Sequence, residues 1–269
     1  MSSMPEPLLE VRKRLPPAPT GKPPLLFVHG GYCDAWFWEP YFLPWFAAHG
    51  YAAYALSLRG HGTSGGRDTL FATGLDDYAA DVERVGAGID EPPVLIGHSM
   101  GAAIVERIVA KRPLRGAALL APLPPAGLLA VATRLAAAHP DFLMQFGHTD
   151  PSRLSAEVLE ALRPFYFSDD VAPSLVAQAA RHFNAESPRA LLDLSLRLHW
   201  ALPAANHRPL FVVGSEGDRI CTPQDVRATA RHHNATALIL PGPAHMLMLE
   251  PGWEAVAEAL AGWIESLPA

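Results

Sequence analysis

The chain has 269 residues, 49% of them hydrophobic, which is enough for one large α/β domain with an insertion and a sizeable core. Its net charge of −6 and the lack of a basic cluster argue against a nucleic-acid partner, and no run of about eighteen apolar residues could span a membrane. Because residues 1–15 lack the apolar centre of a signal peptide and the only cysteines are Cys33 and Cys221, we expect a cytoplasmic protein.

The first predicted elements are an edge strand and a buried strand. Residues 8–14 are expected to form an antiparallel edge strand, and the apolar residues 24–28 a strand within the sheet. His29, Gly30 and Gly31 follow that second strand directly. A loop of this kind can aim a backbone N–H, that of Gly31, at a negatively charged oxygen. An ordinary glycine turn is the alternative interpretation.

The next loop contains a serine motif in an unsuitable context. Residues 62–66 read Gly-Thr-Ser-Gly-Gly and therefore fit the pattern Gly-x-Ser-x-Gly that surrounds many nucleophilic serines. The motif follows Arg-Gly-His, however, so that no apolar strand enters it and no helical pattern leaves it. We interpret this stretch, with Ser64, as a flexible glycine-rich loop.

The same pattern recurs at residues 97–101, which read Gly-His-Ser-Met-Gly. An apolar run at residues 93–96 enters it and a helical pattern from residue 102 leaves it, which is typical of a nucleophile elbow. Glycines are needed there because side chains two positions from the serine would collide with neighbouring backbone. The start of the helix supplies N–H groups, including that of Met100, where an oxyanion would form. Ser99 is therefore the candidate nucleophile.

Helical patterns without intervening strands occupy the middle of the chain. They cover residues 127–138, 155–162, 173–183 and 188–199. Ser187 is expected to cap the last of these helices, with a proline in its first turn. Because the sheet pattern resumes afterwards, we expect residues 123–207 to form a helical cap on a core made of residues 1–122 and 208–269.

The cap is expected to determine which substrate is accepted. Phe142, Met144 and Phe146 cluster in one of its segments, and with Trp36 and Gly30 they are expected to line an apolar pocket of small to medium size. The alternative is that the aromatic side chains of the cap merely attach it to the core. The cap carries no cluster of lysines or arginines that would bind a phosphate or a carboxylate.

Two further strand ends supply the partners that a nucleophilic serine needs. The apolar residues 209–214 lead to Asp218, and residues 237–242 lead to His245. Both candidates follow the carboxyl end of a predicted strand, where open α/β sheets form their sites, and their order after the serine is the one expected of an elbow. Glu216 is an alternative acid. We prefer Asp218 because the glycine before it permits a turn toward the histidine.

These motifs together resemble the serine-dependent members of the α/β-hydrolase superfamily over almost all of the chain. The resemblance rests on His29-Gly30-Gly31, Arg59-Gly60-His61-Gly62-Thr63-Ser64, Gly97-His98-Ser99-Met100-Gly101, Gly214-Ser215-Glu216-Gly217-Asp218 and Pro243-Ala244-His245. The segment around Trp36 is similar to methylesterases and hydroxynitrile lyases, whereas Arg-Gly-His-Gly is similar to arylesterases and monoglyceride lipases. Ala102 departs from the further glycine of many relatives. The resemblance implies an α/β-hydrolase fold, with a mostly parallel central sheet flanked by helices and an all-helical cap insertion.

The resulting hypothesis is a carboxylic-ester hydrolase that cleaves a small or medium apolar ester through an acyl-enzyme intermediate. Ser99 would attack, His245 would act as the base that Asp218 orients, and the N–H groups of Gly31 and Met100 would bind the oxyanion. The alternatives are a lactonase, a carbon–carbon bond hydrolase acting on diketones, a cofactor-free perhydrolase, and a ligand-binding receptor with residual hydrolysis. We expect no cofactor and no metal, and a homodimer is compatible with the hypothesis.

Overall fold

A seven-stranded sheet organises the part of the chain that the computed structural model describes, residues 6–140, 156–196 and 209–268. Its strand order is β1-β3-β2-β4-β5-β6-β7, and every neighbouring pair is parallel except β1 with β3. The strands are β1 (Val11–Arg14), β2 (Leu25–Val28), β3 (Ala53–Leu56), β4 (Val94–His98), β5 (Ala117–Leu120), β6 (Leu210–Ser215) and β7 (Thr236–Leu240). The observed fold is therefore the α/β class that the sequence predicts.

The burial of each strand follows from its place in the sheet. Every residue of β2, β4 and β5 is buried, as a parallel strand with helices on both faces requires. The strand β1 is charged and mostly exposed, and it pairs antiparallel with β3 at one edge, although it begins at Val11 rather than at Leu8. The strand β7 forms the opposite edge and is more exposed than the central strands.

Nine α-helices and three 3-10 helices complete the described residues. The α-helices are α1 (Phe42–Ala48), α2 (Leu75–Ala87), α3 (Met100–Lys111), α4 (Leu128–Ala138), α5 (Ala156–Tyr166), α6 (Pro173–Ala179), α7 (Pro188–Leu196), α8 (Pro223–His232) and α9 (Trp253–Glu265), and the 3-10 helices span Ala35–Trp38, Arg67–Ala72 and Ala180–His182. Ten of the twelve residues of α3 are buried, because this helix packs on the central strands directly after the elbow. None of the described helices is long and apolar enough to cross a membrane.

The described residues between β5 and β6 form helices and no strand. The helix predicted for residues 173–183 ends at Ala179 and continues as a 3-10 turn. At the start of α7, the Ser187 hydroxyl accepts a hydrogen bond from the Ala190 N–H at 3.2 Å, as expected of an N-cap. Because β5 and β6 are neighbours in the sheet, this helical segment leaves and rejoins the core at adjacent strands.

Candidate active site

The turn after β4 holds Ser99 in a strained conformation. Its φ is +53° and its ψ is −116°, a combination that a residue with a side chain rarely adopts. The flanking glycines allow the chain to pass closely: a Cβ at Gly97 would lie 2.3 Å from the carbonyl oxygen of Gly101, and one at Gly101 would lie 2.4 Å from that of Val28. Both contacts are with backbone, so neither position tolerates a side chain. The elbow therefore has the geometry that its sequence predicts.

The acid and the histidine meet at the ends of β6 and β7. The Nδ1 of His245 lies 2.8 Å from Oδ2 of Asp218, and both side chains are buried. The other carboxylate oxygen, Oδ1, accepts the backbone N–H groups of Ile220 at 2.8 Å and Cys221 at 2.9 Å. These three donors fix the orientation of the carboxylate, so that Oδ2 is placed to accept the Nδ1–H of His245. The alternative acid, Glu216, is exposed.

Gly217, in the loop that carries Asp218, is needed for a different reason from the one that the sequence suggests. We expected this glycine to permit a turn, but its φ is not positive. A Cβ there would instead lie 2.4 Å from the carbonyl oxygen of Gly242 and 2.6 Å from that of Pro243. The glycine is needed because the loops that carry Asp218 and His245 pass in backbone contact.

His98, next to the nucleophile, holds the loop of the candidate base. Its Nε2 donates to the carbonyl oxygen of His245 at 3.0 Å, and the two rings are 4.7 Å apart. Burial, together with the neighbouring His245, lowers the pKa of His98 well below its usual value, so the ring is neutral. A Cβ at Gly30 would approach Nδ1 of His98 to 2.8 Å, so a side chain at position 30 would collide with this ring.

The loop after β2, residues 29–34, brings a backbone N–H to the start of α3. A Cβ at Gly31 would lie 3.8 Å from Sδ and 3.9 Å from Cβ of Met100, so the two residues are neighbours. Neither the N–H of Gly31 nor that of Met100 has an acceptor among the residues that the structure describes. Two unpaired N–H groups beside the candidate nucleophile have the donor type that an oxyanion requires.

His29 fixes the base of this loop. Its Nδ1–H donates to the carbonyl oxygen of Gly30 at 2.8 Å, and its Nε2 accepts the N–H of Leu58, which follows β3, at 3.0 Å. Burial, aided by the nearby His61, lowers the pKa of His29 to about 4. The neutral ring can thus donate at one nitrogen and accept at the other.

Ser99 and His245 line one cavity of about 520 Å³. In the described residues no hydrogen bond joins their side chains, as is common in unliganded hydrolases. One side of the wall is aliphatic and comes from α4, α7 and the loops after β5 and β6: Leu123, Leu128, Val131, Ala132, Leu135, Leu191, Leu194 and Ile220. No lysine or arginine is among the described lining residues. The cavity therefore suits an apolar chain.

The residues predicted to line the pocket have different outcomes. Gly30 does line the cavity. Trp36 does not: its ring stacks on that of His182 at 4.4 Å, outside the described lining. Phe142, Met144 and Phe146 lie outside the described residues, so their predicted role stays a prediction.

The second serine motif lies apart from this cavity. Ser64 is buried, donates to the carbonyl oxygen of Ser57 at 2.6 Å and accepts the N–H of Glu10 at 2.9 Å. The interpretation as a flexible loop is wrong for this residue, because its hydroxyl ties the start of β1 to the end of β3.

Two further residues at the cavity are not among the predicted site residues. Tyr166, at the end of α5, stands edge-on to His245 with ring centroids 6.0 Å apart. Glu186, just before α7, contributes a fully buried carboxylate to the wall near Gly31. Tyr166 belongs to an aromatic run, residues 165–167, which the sequence predicts to attach the cap to the core or to roof the site, whereas Glu186 sits in no motif. A lone glutamate before a helix cap normally indicates only a helix start.

One cluster in the described residues has the donor types of a metal site. Ligand atoms of Asp218, Cys221 and His245 lie within 4.8 Å of one another. The carboxylate of Asp218 already accepts His245 Nδ1 and two backbone N–H groups, so the cluster is satisfied without an ion. Cys33 and Cys221 are both buried, and they are not joined in a disulfide.

Comparisons with known proteins agree with this geometry. A model of the alpha/beta hydrolase family matches residues 25–259, and the chain belongs to that family. The chain is 26% identical over 240 residues to the monoacylglycerol lipase of Mycolicibacterium smegmatis, which covers 82% of this chain and 80% of that protein.

Solved structures share the fold at lower identity. Rv0554 from Mycobacterium tuberculosis has a TM-score of 0.76 at 20% identity, over 97% of this chain and 94% of that one. An esterase from Exiguobacterium antarcticum has a TM-score of 0.75 at 16% identity, over 96% of each chain. The chain is accordingly a hydrolase with the α/β-hydrolase fold and with lipase and esterase relatives.

Proposed function

We propose that the protein is a serine carboxylic-ester hydrolase for small to medium apolar esters. The observation that carries the proposal is the bond between His245 and Asp218 at the wall of an apolar cavity that also contains Ser99 on its strained turn. A carboxylate that fixes one nitrogen of an imidazole leaves the other nitrogen free to serve a nucleophile. The lipase and esterase relatives support the same class of reaction.

In the proposed mechanism, Ser99 Oγ attacks the ester carbonyl carbon while Nε2 of His245 takes the hydroxyl proton. The carbonyl oxygen becomes an oxyanion that the N–H groups of Gly31 and Met100 stabilise. Collapse of the tetrahedral intermediate breaks the bond to the alcohol oxygen, which receives the proton from His245. Water then attacks the acyl-serine with His245 as base, and the acid leaves. Asp218 accepts the Nδ1–H throughout.

The aliphatic wall supports an apolar acyl or alkyl group as the part of the substrate that is bound most closely. Burial of a methylene in such a cavity is worth about 0.8 kcal/mol, so a chain of several carbons would be held mainly by apolar contact. We also propose that residues 123–207 act as a cap that sets this preference, since α4 and α7 supply much of the described wall.

The test is a substrate panel measured on the parent and on Ser99→Ala. It contains p-nitrophenyl esters from acetate to decanoate, medium-ring lactones, a vinylogous diketone, and acetate with hydrogen peroxide for perhydrolysis. We expect the highest kcat/KM on an ester of intermediate chain length and no turnover by the variant. A parent that prefers a lactone or the diketone would shift the assignment to those alternatives. A parent that binds esters without turnover would favour a receptor.

A further inference from the structure

The loop after β2 is tied to a short segment that precedes α7. This segment, residues 182–187, is named the strap here. The N–H of Asn184 donates to the carbonyl oxygen of Tyr32 at 2.6 Å, and the N–H of Tyr32 donates to Oε2 of Glu186 at 3.1 Å. Both backbone polar groups of Tyr32 are therefore bonded to residues that come from between β5 and β6. A third contact joins the strap to the same loop, because Nδ1 of His182 lies 2.9 Å from Oδ2 of Asp34.

Tyr32 needs such support because its backbone is strained. The N–H of Cys33 bonds to the carbonyl oxygen of Gly30 at 3.3 Å, which closes a turn with Gly31 and Tyr32 at its centre. The φ of Tyr32 is +66°, in the third position of a turn where a positive φ normally selects glycine. The left-handed conformation is unfavourable for a residue with a Cβ, so the native turn depends on its outside bonds.

Glu186 is itself held by four donors. Its Oε1 accepts the Tyr78 hydroxyl at 2.7 Å and the Ser187 N–H at 2.7 Å. Its Oε2 accepts the Tyr32 N–H and faces Nε2 of His61 at 3.2 Å, with both side chains fully buried. A carboxylate has about four acceptor positions, so none is left for a substrate group. The role of Glu186 must therefore be exerted through its neighbours.

His61 supplies the charge that makes a buried carboxylate tolerable. Its Nδ1 faces the carbonyl oxygen of Arg59 at 3.0 Å and its Nε2 faces Glu186, so both nitrogens act as donors only if the ring is protonated. Although burial disfavours the charged ring, the carboxylate of Glu186 raises the pKa of His61. In turn, His61 lowers the pKa of Glu186 against the effect of burial. The pair is thus an ion pair beside the candidate oxyanion site.

We propose that Glu186 is a positioning residue that holds the Gly31–Tyr32 turn, and with it the oxyanion-binding N–H of Gly31, in its catalytic orientation. The inference rests on the proposed ester hydrolysis and adds to it that the segment between β5 and β6 helps to build the oxyanion site. Without an acceptor, the peptide between Gly31 and Tyr32 can rotate toward the negative φ that tyrosine prefers. That rotation moves Gly31 away from Met100.

Glu186→Gln isolates this effect. A glutamine offers one acceptor oxygen and one NH2 group, so two of the four donors must face the NH2 group. With the oxygen toward Tyr78 and Ser187, the NH2 group can donate to a neutral His61, whose Nδ1–H keeps its bond to Arg59. Only the Tyr32 N–H then loses its acceptor. The variant should fold and keep the strap in place, while the Gly31–Tyr32 turn loses its bond to residue 186.

The matched control is Glu106→Gln. Glu106 lies on α3 and is also a buried glutamate bonded to a histidine, His233, at 2.6 Å, but it lies outside the described cavity lining. It reports the cost of replacing a buried glutamate that is bonded to a histidine, at a place with no contact to the loop after β2. Melting temperatures of both variants measure that general cost.

The experiment measures kcat and KM on a p-nitrophenyl ester and the Ki of an aliphatic trifluoromethyl ketone, whose hemiketal oxyanion requires the same N–H groups. For Glu186→Gln we expect kcat to fall about 10- to 100-fold, Ki to rise by a similar factor and KM to stay within about threefold, since the loss of one oxyanion donor costs about 10²–10³ in kcat. Glu106→Gln should keep kcat and Ki within about threefold.

A parent that hydrolyses no ester would overturn the proposed function and this inference with it. An active parent whose Glu186→Gln variant matches Glu106→Gln in kcat and Ki would overturn this inference alone. Should Glu186→Gln fail to fold, Asn184→Ala replaces it. That change removes the amide that bonds to Gly62 at 3.0 Å and to Cys33 at 3.4 Å, and it should lower kcat and raise Ki several-fold in parallel. Unchanged values would contradict the proposal.

Discussion

The backbone carbonyl of Tyr166 accepts the N–H of Met246 at 3.0 Å, and the ring of the same tyrosine stands edge-on to His245. The end of α5 is therefore attached to the loop that carries the candidate base. The ring is buried and lines the cavity, so it excludes water from one side of the imidazole. A position within the helical segment between β5 and β6 thus contributes directly to the surroundings of His245, the candidate base.

This contact predicts different effects for two substitutions of Tyr166. Tyr166→Phe keeps the ring and should leave kcat within a few-fold. Tyr166→Ala removes a buried ring, which typically costs about 3–5 kcal/mol of stability, and should also lower kcat by allowing water and movement beside His245. Urea unfolding and kcat on a p-nitrophenyl ester measure both effects. Equal kcat values for the two variants would show that the ring only fills space.

The candidate nucleophile, Ser99, can be distinguished by experiment from Ser64, the serine of the other Gly-x-Ser-x-Gly sequence. Ser99→Ala should abolish turnover, with a loss in kcat of roughly 10⁴ to 10⁶, while its melting temperature stays near that of the parent. A fluorophosphonate probe should label Ser99 in the parent. Ser64→Ala should lower stability, since this hydroxyl makes two buried hydrogen bonds, and should retain labelling and activity. A probe found on Ser64 by peptide mapping would contradict the assignment.

Asp218 and Glu216, the two carboxylates of the loop after β6, allow a second matched comparison of variants. Asp218→Asn should slow turnover by about 10⁴, because the amide oxygen is drawn to the two N–H donors at Oδ1 and the NH2 group then faces His245, which favours the wrong tautomer of the ring. Glu216 is exposed, so Glu216→Gln should stay within a few-fold of the parent. Steady-state kinetics on one ester are sufficient, and the reverse ranking would transfer the role to Glu216.

The cavity wall predicts a change in chain-length preference. Val131 is buried and lines the cavity, whereas Leu129 on the same helix is 61% exposed. Val131→Phe should reduce kcat/KM for octanoate relative to butyrate by an amount equivalent to about 1–3 kcal/mol, as expected when an apolar pocket loses space for one or two methylenes. Leu129→Phe is the control and should leave the ratio unchanged. Parallel profiles for both variants would mean that α4 does not select the acyl chain.

Buried neutral histidines predict a loss of stability in acid. The folded pKa of His29 is about 4, below the value of about 6.5 in an unfolded chain, so the unfolded state binds the extra proton first as the pH falls. Stability from this residue is present above pH 6.5 and decreases below it, by about 2 kcal/mol between pH 7 and pH 5. Urea unfolding should show this decrease in the parent and a smaller one in His29→Gln. Identical pH dependence in the two proteins would contradict a neutral, buried His29.

Local sequence predicted those parts of the site that depend on strand ends. Ser99, Asp218 and His245 each follow an apolar run, and parallel strands present their carboxyl ends at one edge of the sheet, so proximity along the sheet could be inferred without coordinates. The place of Trp36 could not be inferred in the same way. Its distance along the chain from Gly31 is short, but the direction of its side chain depends on His182, which lies far away in sequence.

Glu186 could not be identified from the local sequence. Its hydrogen bond to Tyr32 joins positions 154 residues apart, and a single glutamate before a helix cap carries no periodic or motif signal. The aliphatic wall of α4 was visible as a helix, but the choice between Val131 and Leu129 as the inward residue requires the packing of that helix against α7. Long-range packing decides both cases.

The adjacency of β5 and β6 has an evolutionary consequence. Since these strands pair directly, with Ala117 opposite Leu210, the stretch between them can grow, shrink or be replaced while the register of the sheet is preserved. New selectivity can thus arise by exchange of one continuous piece of gene, without redesign of the core. A chimaera that imports the helices of a relative has natural joints at these two strands, and residues 182–187 must be kept matched to the loop after β2 for the exchange to yield an active enzyme.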